Sequence, residues 1–270
     1  MKEMQEMQET EAPIISARDL RVSYGEREIL HGVSFDVAPR ETIVILGGSG
    51  SGKSTLLRTM VGLERPTSGS IRVGGRDLAQ ASPAELDQVR KKIGLSFQGG
   101  ALIGSMTVGE NVALPLLEHT NLEPSTIEIM VRIKLQQVGL IKFEHFMPSQ
   151  LSGGMKKRAA LARATAMDPE ILFFDEPSAG LDPVIAAGID ELILNLKKAL
   201  AVTIVVVTHE LASAFLIADR IIVLDQGHIV AASTTEELRK STHPRIQQIL
   251  NRVPDADVGE DVDRLKLFTE

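Results

Sequence analysis

The segment running from Thr42 through the glycine-rich stretch behind it limits this chain more than any other feature. Thr42, Ile43, Val44, Ile45 and Leu46 form an apolar, mostly β-branched run without polar alternation, which suits a strand buried on both faces. It leads directly into Gly47, Gly48, Ser49, Gly50, Ser51, Gly52, Lys53, Ser54 and Thr55, and the residues that follow, 55–60, are competent to form a helix. Gly47 to Ser54 fits the spacing G-x-x-x-x-G-K-[ST]. Glycines there let the backbone curl so that successive N–H groups point inward at phosphate oxygens, the lysine reaches the β and γ phosphates, and the Ser54 hydroxyl can hold Mg²⁺. A flexible glycine linker would need neither the buried strand before it nor the helix after it.

Further strands are expected at residues 14–20, 33–37, 71–73, 93–97, Ile171–Asp175, Thr203–Thr208, 221–224 and 228–232. Ser82-Pro83-Ala84-Glu85 and Ser125-Thr126-Ile127-Glu128 read as capping boxes, and Asp182-Pro183 as a third helix start, since Ser or Asp caps free N–H groups and Pro suits the first helical position. Strands alternating with helices predict an α/β fold with a mostly parallel core sheet. Between Gln98 and Asp168 no strand is expected, so this stretch reads as an inserted helical subdomain.

A second chemical motif is Ile171-Leu172-Phe173-Phe174-Asp175-Glu176-Pro177. Four apolar residues deliver two adjacent carboxylates to a strand end, where they need cations nearby. Asp175 can hold Mg²⁺ through water, while Glu176, pointing the other way, can polarise an attacking water.

Composition excludes several classes. The 29 Lys and Arg against 36 Asp and Glu give a net charge of −7, so nothing draws phosphate backbone to the whole surface, and no nucleic-acid partner is expected. With no Cys there is no disulfide framework, thiolate metal site or cysteine nucleophile. The longest apolar run, residues 199–207, is about half the ~20 residues a membrane span needs, so neither a spanning helix nor a secretion signal is expected. The basic cluster Lys156, Lys157, Arg158 and Arg163 faces an apolar set, Met155, Ala159, Ala162 and Ala166, at helical spacing, and reads as a solvated helix face.

Leu151-Ser152-Gly153-Gly154-Met155, lying between the two nucleotide motifs, resembles the signature of the ATP-binding cassette family of transporter ATPases, with Met155 where most members carry Gln. The resemblance covers about residues 14–240. It implies a P-loop ATPase with a mostly parallel core sheet, an antiparallel β subdomain and the inserted helical subdomain, binding ATP and Mg²⁺. It further implies a homodimer in which Ser152, Gly153 and Gly154 of one chain close on the γ-phosphate held by the glycine loop of the other. The local chemistry agrees, because a helix opened by these residues aims free N–H groups and a positive dipole end at an anion. On the same resemblance Gln98 touches Mg²⁺ and relays nucleotide state to a membrane partner, Asp182 in Ser178-Ala179-Gly180-Leu181-Asp182 lies along the dimer interface, and His209 contacts the γ-phosphate. Tyr24, the chain's one Tyr and placed on a loop over residues 23–28, stacks on adenine. A lone Gln, His or Tyr is ordinarily a surface or structural group; order and spacing set these apart. His31, His119, His145, His228 and His243 share no such context.

Residues 97–102, 110–116, 147–150 and 158–164 are similar to a narrower subgroup, the ATPases of the maintenance-of-lipid-asymmetry system, which moves phospholipid between the membranes of Gram-negative envelopes. That similarity implies a peripheral protein on the cytoplasmic face of the inner membrane. Its partners would be an integral permease of the MlaE type, an MCE lipid-binding protein and, in some members, a small regulatory protein. Gly99 replaces a common Ser, and Ile103 and Gly109 replace common Phe residues, near the expected permease-facing groove. The expected organisation is a mobile tail over 1–12, the ATPase domain over 13–240 with its helical subdomain at about 99–168, and a C-terminal helix with an acidic extension over 241–270. In that extension Leu265, Leu267 and Phe268 are candidates to dock on a neighbouring subunit.

Overall fold

The computed structural model describes residues 11–253. All but the last two residues of the expected N-terminal tail lie outside them, as do the acidic extension after Val253 and its Leu265, Leu267 and Phe268.

The chain opens with a hairpin, β1 (Ile15–Tyr24) and β2 (Arg27–Val37), followed by β3 (Thr42–Leu46), the glycine loop and α1 (Lys53–Met60). Next come β4 (Ser68–Val73), β5 (Arg76–Asp77), α2 (Pro83–Arg90) and β6 (Ile93–Ser96). Three helices follow without an intervening strand, α3 (Val108–His119), α4 (Pro124–Gln137) and α5 (Gly153–Ala164). The remainder alternates: β7 (Ile171–Asp175), α6 (Pro183–Leu200), β8 (Thr203–Thr208), α7 (Leu211–Ile217), β9 (Arg220–Asp225), β10 (His228–Thr234), α8 (Thr235–Lys240) and α9 (Pro244–Leu250). No helix among the described residues is long and apolar enough to cross a membrane.

Six strands form one sheet in the order β10-β9-β3-β8-β7-β6, and four form a second in the order β2-β1-β4-β5. In the larger sheet the neighbours from β9 to β6 are parallel and only the edge strand β10 is antiparallel. The smaller sheet is antiparallel throughout. The α/β expectation and the helical insertion both hold. Because the central strands are covered on both faces, their side chains divide by parity. Ile43, Ile45, Phe173, Val205 and Val207 pack toward the antiparallel sheet and α1. Val44, Leu46, Phe174, Val206 and Val223 pack toward α3, α5, α6 and α7. Each fully buried side chain of this size contributes roughly 1.5–3 kcal/mol, so this sheet is the rigid platform on which loops can be held.

Local chemistry sets the ends of the elements. Ser82 and Glu85 form the expected capping box at α2, and Asp182 caps α6 with Pro183 first in the helix. The box expected at Ser125 is absent. Pro124 takes the first helical position with Glu123 before it, so Ser125 already lies inside α4 and cannot cap it. Tyr24 also differs from expectation: β1 extends through it, paired with Arg27 across a tight turn in which Gly25 adopts φ 61°.

Candidate active site

Parallel strands finish on one edge, and the crevice beyond their carboxyl ends is where open α/β sheets bind ligands. Here the register fixes which groups meet. Leu46 of β3 pairs with Thr208 of β8, Asp175 of β7 with Val207, and Ser96 of β6 with Phe174. The glycine loop, Asp175 and Glu176, His209, and Gln98 therefore leave the sheet side by side.

The loop is sterically built for glycine at two positions. A Cβ on Gly47 would lie 2.2 Å from the Leu224 carbonyl oxygen and 2.6 Å from Ser51 Oγ. Gly52 adopts φ 102°, and a Cβ there would lie 2.9 Å from Leu30 Cδ2. Lys53 opens α1, is buried, and donates from Nζ to the carbonyls of Gly47 and Gly48, both at 2.8 Å. Burial pushes its ammonium below the usual lysine range, while Glu176 and Asp175 oppose that shift. Ser51 Oγ is buried and has no hydrogen-bond partner among the described residues. Ser54 is exposed at the start of α1 and Thr55 buried beneath it. A cleft of about 520 Å³ opens beside the loop, lined among others by Gly47, Gly48, His209 and Ile249.

At the end of β7, burial and the neighbouring Glu176 raise the Asp175 carboxyl above its usual range, against Arg58, Lys53 and Lys157. Glu176 holds a left-handed backbone, φ 49°, a conformation of order 1–3 kcal/mol uphill that persists only where neighbours enforce it. Its N–H donates to the Val207 carbonyl at 2.9 Å, and Thr208 Oγ1 donates to Oε2 at 3.0 Å. His209 Nδ1 lies 2.7 Å from Oε1, and Lys157 Nζ donates to the Glu176 carbonyl at 2.8 Å. The carboxylate is thus fixed in direction by two side chains while His209 stays largely solvent-facing.

Gln98 is exposed, but its carbonyl is held by Lys157 Nζ. The next residues are pinned by Arg163, which donates to the carbonyls of Gly100 at 2.7 Å and Ala101 at 2.8 Å. Buried Asn111 bonds the backbone of Ile103, Met106 and Thr107. This corrects the reading of the basic cluster. Lys157 is only 8% exposed, and desolvation lowers the pKa of both Lys157 and Arg163. Ala159, Ala160, Leu161 and Ala162 are all buried, so α5 is enclosed on nearly every side, and Lys157 and Arg163 serve main-chain carbonyls. Gly109 is corrected as well: it is buried, and a Cβ there would lie 2.9 Å from Glu144 Cγ and 3.2 Å from the Glu144 carbonyl oxygen. The absence of a Phe there has an internal packing cause.

Ser152 caps α5, its Oγ accepting from the Met155 N–H at 3.3 Å, with Gly153 and Gly154 in the first turn. A Cβ on Gly154 would lie 2.6 Å from Ile185 Cγ2, which sets this helix start against the start of α6. There Asp182 Oδ1 accepts from Val184 and Ile185 N–H at 3.0 and 3.1 Å. Met155 packs against the core, so the residue in place of Gln contributes apolar contact. Behind this region Ser178 Oγ lies 3.3 Å from Ser213 Oγ, which donates to Asp190 Oδ2 at 2.7 Å. Burial raises the Asp190 carboxyl, and its Oδ1 has no partner among the described residues. Tyr24 is 43% exposed and donates to Glu64 at 3.2 Å. His31 and His228 stack on each other at 4.8 Å, next to Gly227, whose N–H donates to the Ser51 carbonyl of the glycine loop at 3.0 Å.

Sequence reasoning missed Lys157, Arg163, Asn111, Thr208 and the Ser178–Ser213–Asp190 chain. The unbroken apolar run 159–162 was the available signal that α5 is enclosed.

The residues fit a nucleoside triphosphate with Mg²⁺. The glycine cradle cannot accept a Cβ at Gly47, and among the described residues Ser51 Oγ has no partner and the buried lysine bonds the Gly47 and Gly48 carbonyls, which an anion can replace. One strand-end carboxylate with a hydroxyl and a side-chain amide matches the habit of Mg²⁺, which is bound by one or two carboxylates plus substrate phosphates.

The family model described as "ABC transporter" matches residues 30–179. The chain is 40% identical over 252 residues to the E. coli (strain K12) intermembrane phospholipid transport system ATP-binding protein MlaF, spanning 93% of this chain and 94% of that protein. It is also 40% identical over 258 residues to the probable ribonucleotide transport ATP-binding protein mkl of Mycobacterium leprae, spanning 95% of this chain and 74% of that protein. Among solved structures, the dimeric post-hydrolysis state of the ATP-binding cassette MJ0796 bound to ADP and Pi superposes with a TM-score of 0.76 at 32% identity. That match covers 82% of this chain and 98% of that one. Cassette cbiO1 from Clostridium perfringens superposes with a TM-score of 0.78 at 29% identity, covering 89% and 100%.

Proposed function

This chain belongs to the ABC transporter family as an ATP-binding, ATP-hydrolysing subunit, and on that premise we propose that two copies enclose two ATP molecules and drive phospholipid transport through a membrane permease. The glycine loop of one copy and the Ser152, Gly153 and Gly154 turn of the other form each site, with Asp182 along the interface and Tyr24 against the adenine. Lys53 exchanges the Gly47 and Gly48 carbonyls for β- and γ-phosphate oxygens, and the N–H groups of Gly48 to Thr55 cradle the phosphates. Mg²⁺, held by Ser54, Gln98 and Asp175, supplies neutralisation of phosphate charge. Glu176 orients a water toward the γ-phosphorus and takes its proton as the new oxygen–phosphorus bond forms. The bond to the β–γ bridging oxygen breaks, leaving ADP and phosphate. His209 holds the Glu176 carboxylate on one side and faces the γ-phosphate on the other.

The observation that carries the catalytic part is the Glu176 carboxylate fixed between Thr208 and His209 beside a buried lysine. For the cargo, support comes from the near full-length match to an intermembrane phospholipid transport ATPase. Phe97 and Ile103, exposed around Gln98, offer the apolar contact for a permease of the MlaE type. That permease and an MCE lipid-binding protein, joined in some members by a small regulatory protein, complete the assembly at the cytoplasmic face of the inner membrane. The test is a complex purified with its membrane partner and supplied with vesicles carrying labelled phospholipid. Glu176→Gln slows hydrolysis by roughly 10²–10⁴, the range of a general-base contribution, and lipid movement stops with it. ATP turnover that a ribonucleotide stimulates and phospholipid does not would overturn the lipid reading.

A further inference from the structure

We propose that Lys157 is a positioning residue for hydrolysis, holding the segments that carry Glu176 and Gln98 in register from the signature helix; the inference rests on the roles given above to those two residues. Lys157 lies in the second turn of α5, four residues after Gly153, about 6 Å along the axis. Its side chain is buried, and its ammonium donates to two main-chain carbonyls, those of Gln98 and Glu176. Each carbonyl belongs to the turn just beyond a strand end, β6 for Gln98 and β7 for Glu176. Glu176 sits in the left-handed region, a conformation that depends on its neighbours. A charged donor shared between two carbonyls in a desolvated place makes shorter and stronger bonds than a neutral one. A glutamine amide also carries two N–H donors on one atom, but it is neutral and one bond shorter than lysine, so it reaches less far and makes weaker bonds. The same ammonium opposes the charge on Asp175 and Glu176. Lys157 therefore acts through Glu176 and Gln98 and touches no nucleotide itself. Because α5 is enclosed and begins at Ser152, a shift of its N-terminus on closing against a second chain's phosphate is transmitted through this one side chain to both turns.

The test compares Lys157→Met, Lys157→Gln and Lys157→Arg in single-turnover Mg-ATP hydrolysis, with ATP affinity and thermal unfolding measured on the same samples. Lys157→Met lowers the hydrolysis rate by roughly 10- to 10²-fold, the penalty of small misplacement, while ATP affinity stays within about threefold of wild type. Lys157→Arg, which keeps the positive charge and replaces the point ammonium by a fork of donors, restores the rate to within about threefold. A wild-type rate in Lys157→Met overturns the inference, as does equal impairment of the Met and Arg variants, or a loss confined to ATP affinity. Should Lys157→Met fail to fold, Arg exceeding Gln in rate at equal affinity supports the role, and equal rates refute it. Glu176→Gln is measured alongside. If it hydrolyses ATP normally, the reading of Glu176 fails; if it is impaired while Lys157→Met is not, this inference alone fails.

Discussion

Replacing Gly47 by Ala tests the cradle at its tightest point. The added Cβ would lie 2.2 Å from the Leu224 carbonyl oxygen and 2.6 Å from Ser51 Oγ. Ordinary carbon–oxygen contact begins near 3.3 Å, the lower end of even weak C–H···O contacts, so backbone must separate from backbone by about 1 Å. Leu224 lies in β9, paired in register with β3, and cannot yield without breaking the sheet. The loop moves instead. Overpacking of this kind costs about 1–3 kcal/mol, which for a fold of this size lowers Tm by roughly 2–12 °C at 2–4 °C per kcal/mol. Because Lys53 and the N–H groups share the displaced loop, ATP affinity falls with it, and a 1 Å error in placement can reduce hydrolysis by about 10²-fold. Gly48→Ala is the control. A Cβ there meets nothing within 4 Å, so Tm is unchanged whatever happens to phosphate binding. Thermal melts and calorimetric ATP titration of both variants decide the matter. A Gly47→Ala protein with wild-type Tm and affinity would refute the steric reasoning.

Two further predictions concern groups outside the loop. Tyr24→Ala weakens ATP binding by about 1–3 kcal/mol if the ring stacks on the base, whereas Tyr24→Phe, losing only the bond to Glu64, is nearly neutral; equal losses would assign the effect to the hydroxyl. Burial raises the Asp190 carboxyl. The native state then binds a proton that the unfolded chain releases at lower pH, so the cost of its charge appears as pH rises through the raised value. Subtracting wild-type Tm from that of Asp190→Asn gives a difference that becomes more positive as pH rises from about 4, whatever its starting offset. A pH-independent difference would contradict the assignment.

The sequence disclosed most where one residue type has one physical use. A five-residue apolar run is hard to place anywhere but a doubly covered sheet, and Thr42–Leu46 is buried throughout. Gly47 and Gly52 stand where a Cβ would collide, so the loop's spacing carried its geometry. The strand ends that gather Asp175, Glu176 and His209 were also legible, since parallel strands finish on one edge. What stayed hidden is set by contacts distant in sequence. Lys157 looked solvated because four apolar residues at helical spacing imply one apolar stripe. In the fold, partners on several sides enclose α5, and the ammonium reaches carbonyls 59 and 19 residues away. Ser125 looked like a cap because its box pattern is complete, yet Pro124 had already opened the helix. Nothing in the sequence sets Asp190 apart from other polar residues, and only the fold brings Ser213 to it.

The central claim is that the two halves of each ATP site come from different chains, and the mass of Glu176→Gln in solution tests it most directly. Without nucleotide the protein is mostly monomeric; with ATP, which this variant binds and turns over only slowly, each ATP bridges a glycine loop to a partner's signature turn and the pair accumulates by mass action. Light scattering across a wide concentration range should show the mass doubling on addition of ATP, and adding Ser152→Arg to the same chain should abolish it. A Glu176→Gln protein that binds ATP yet stays monomeric at every concentration, with its membrane partner present as well as absent, would contradict the account.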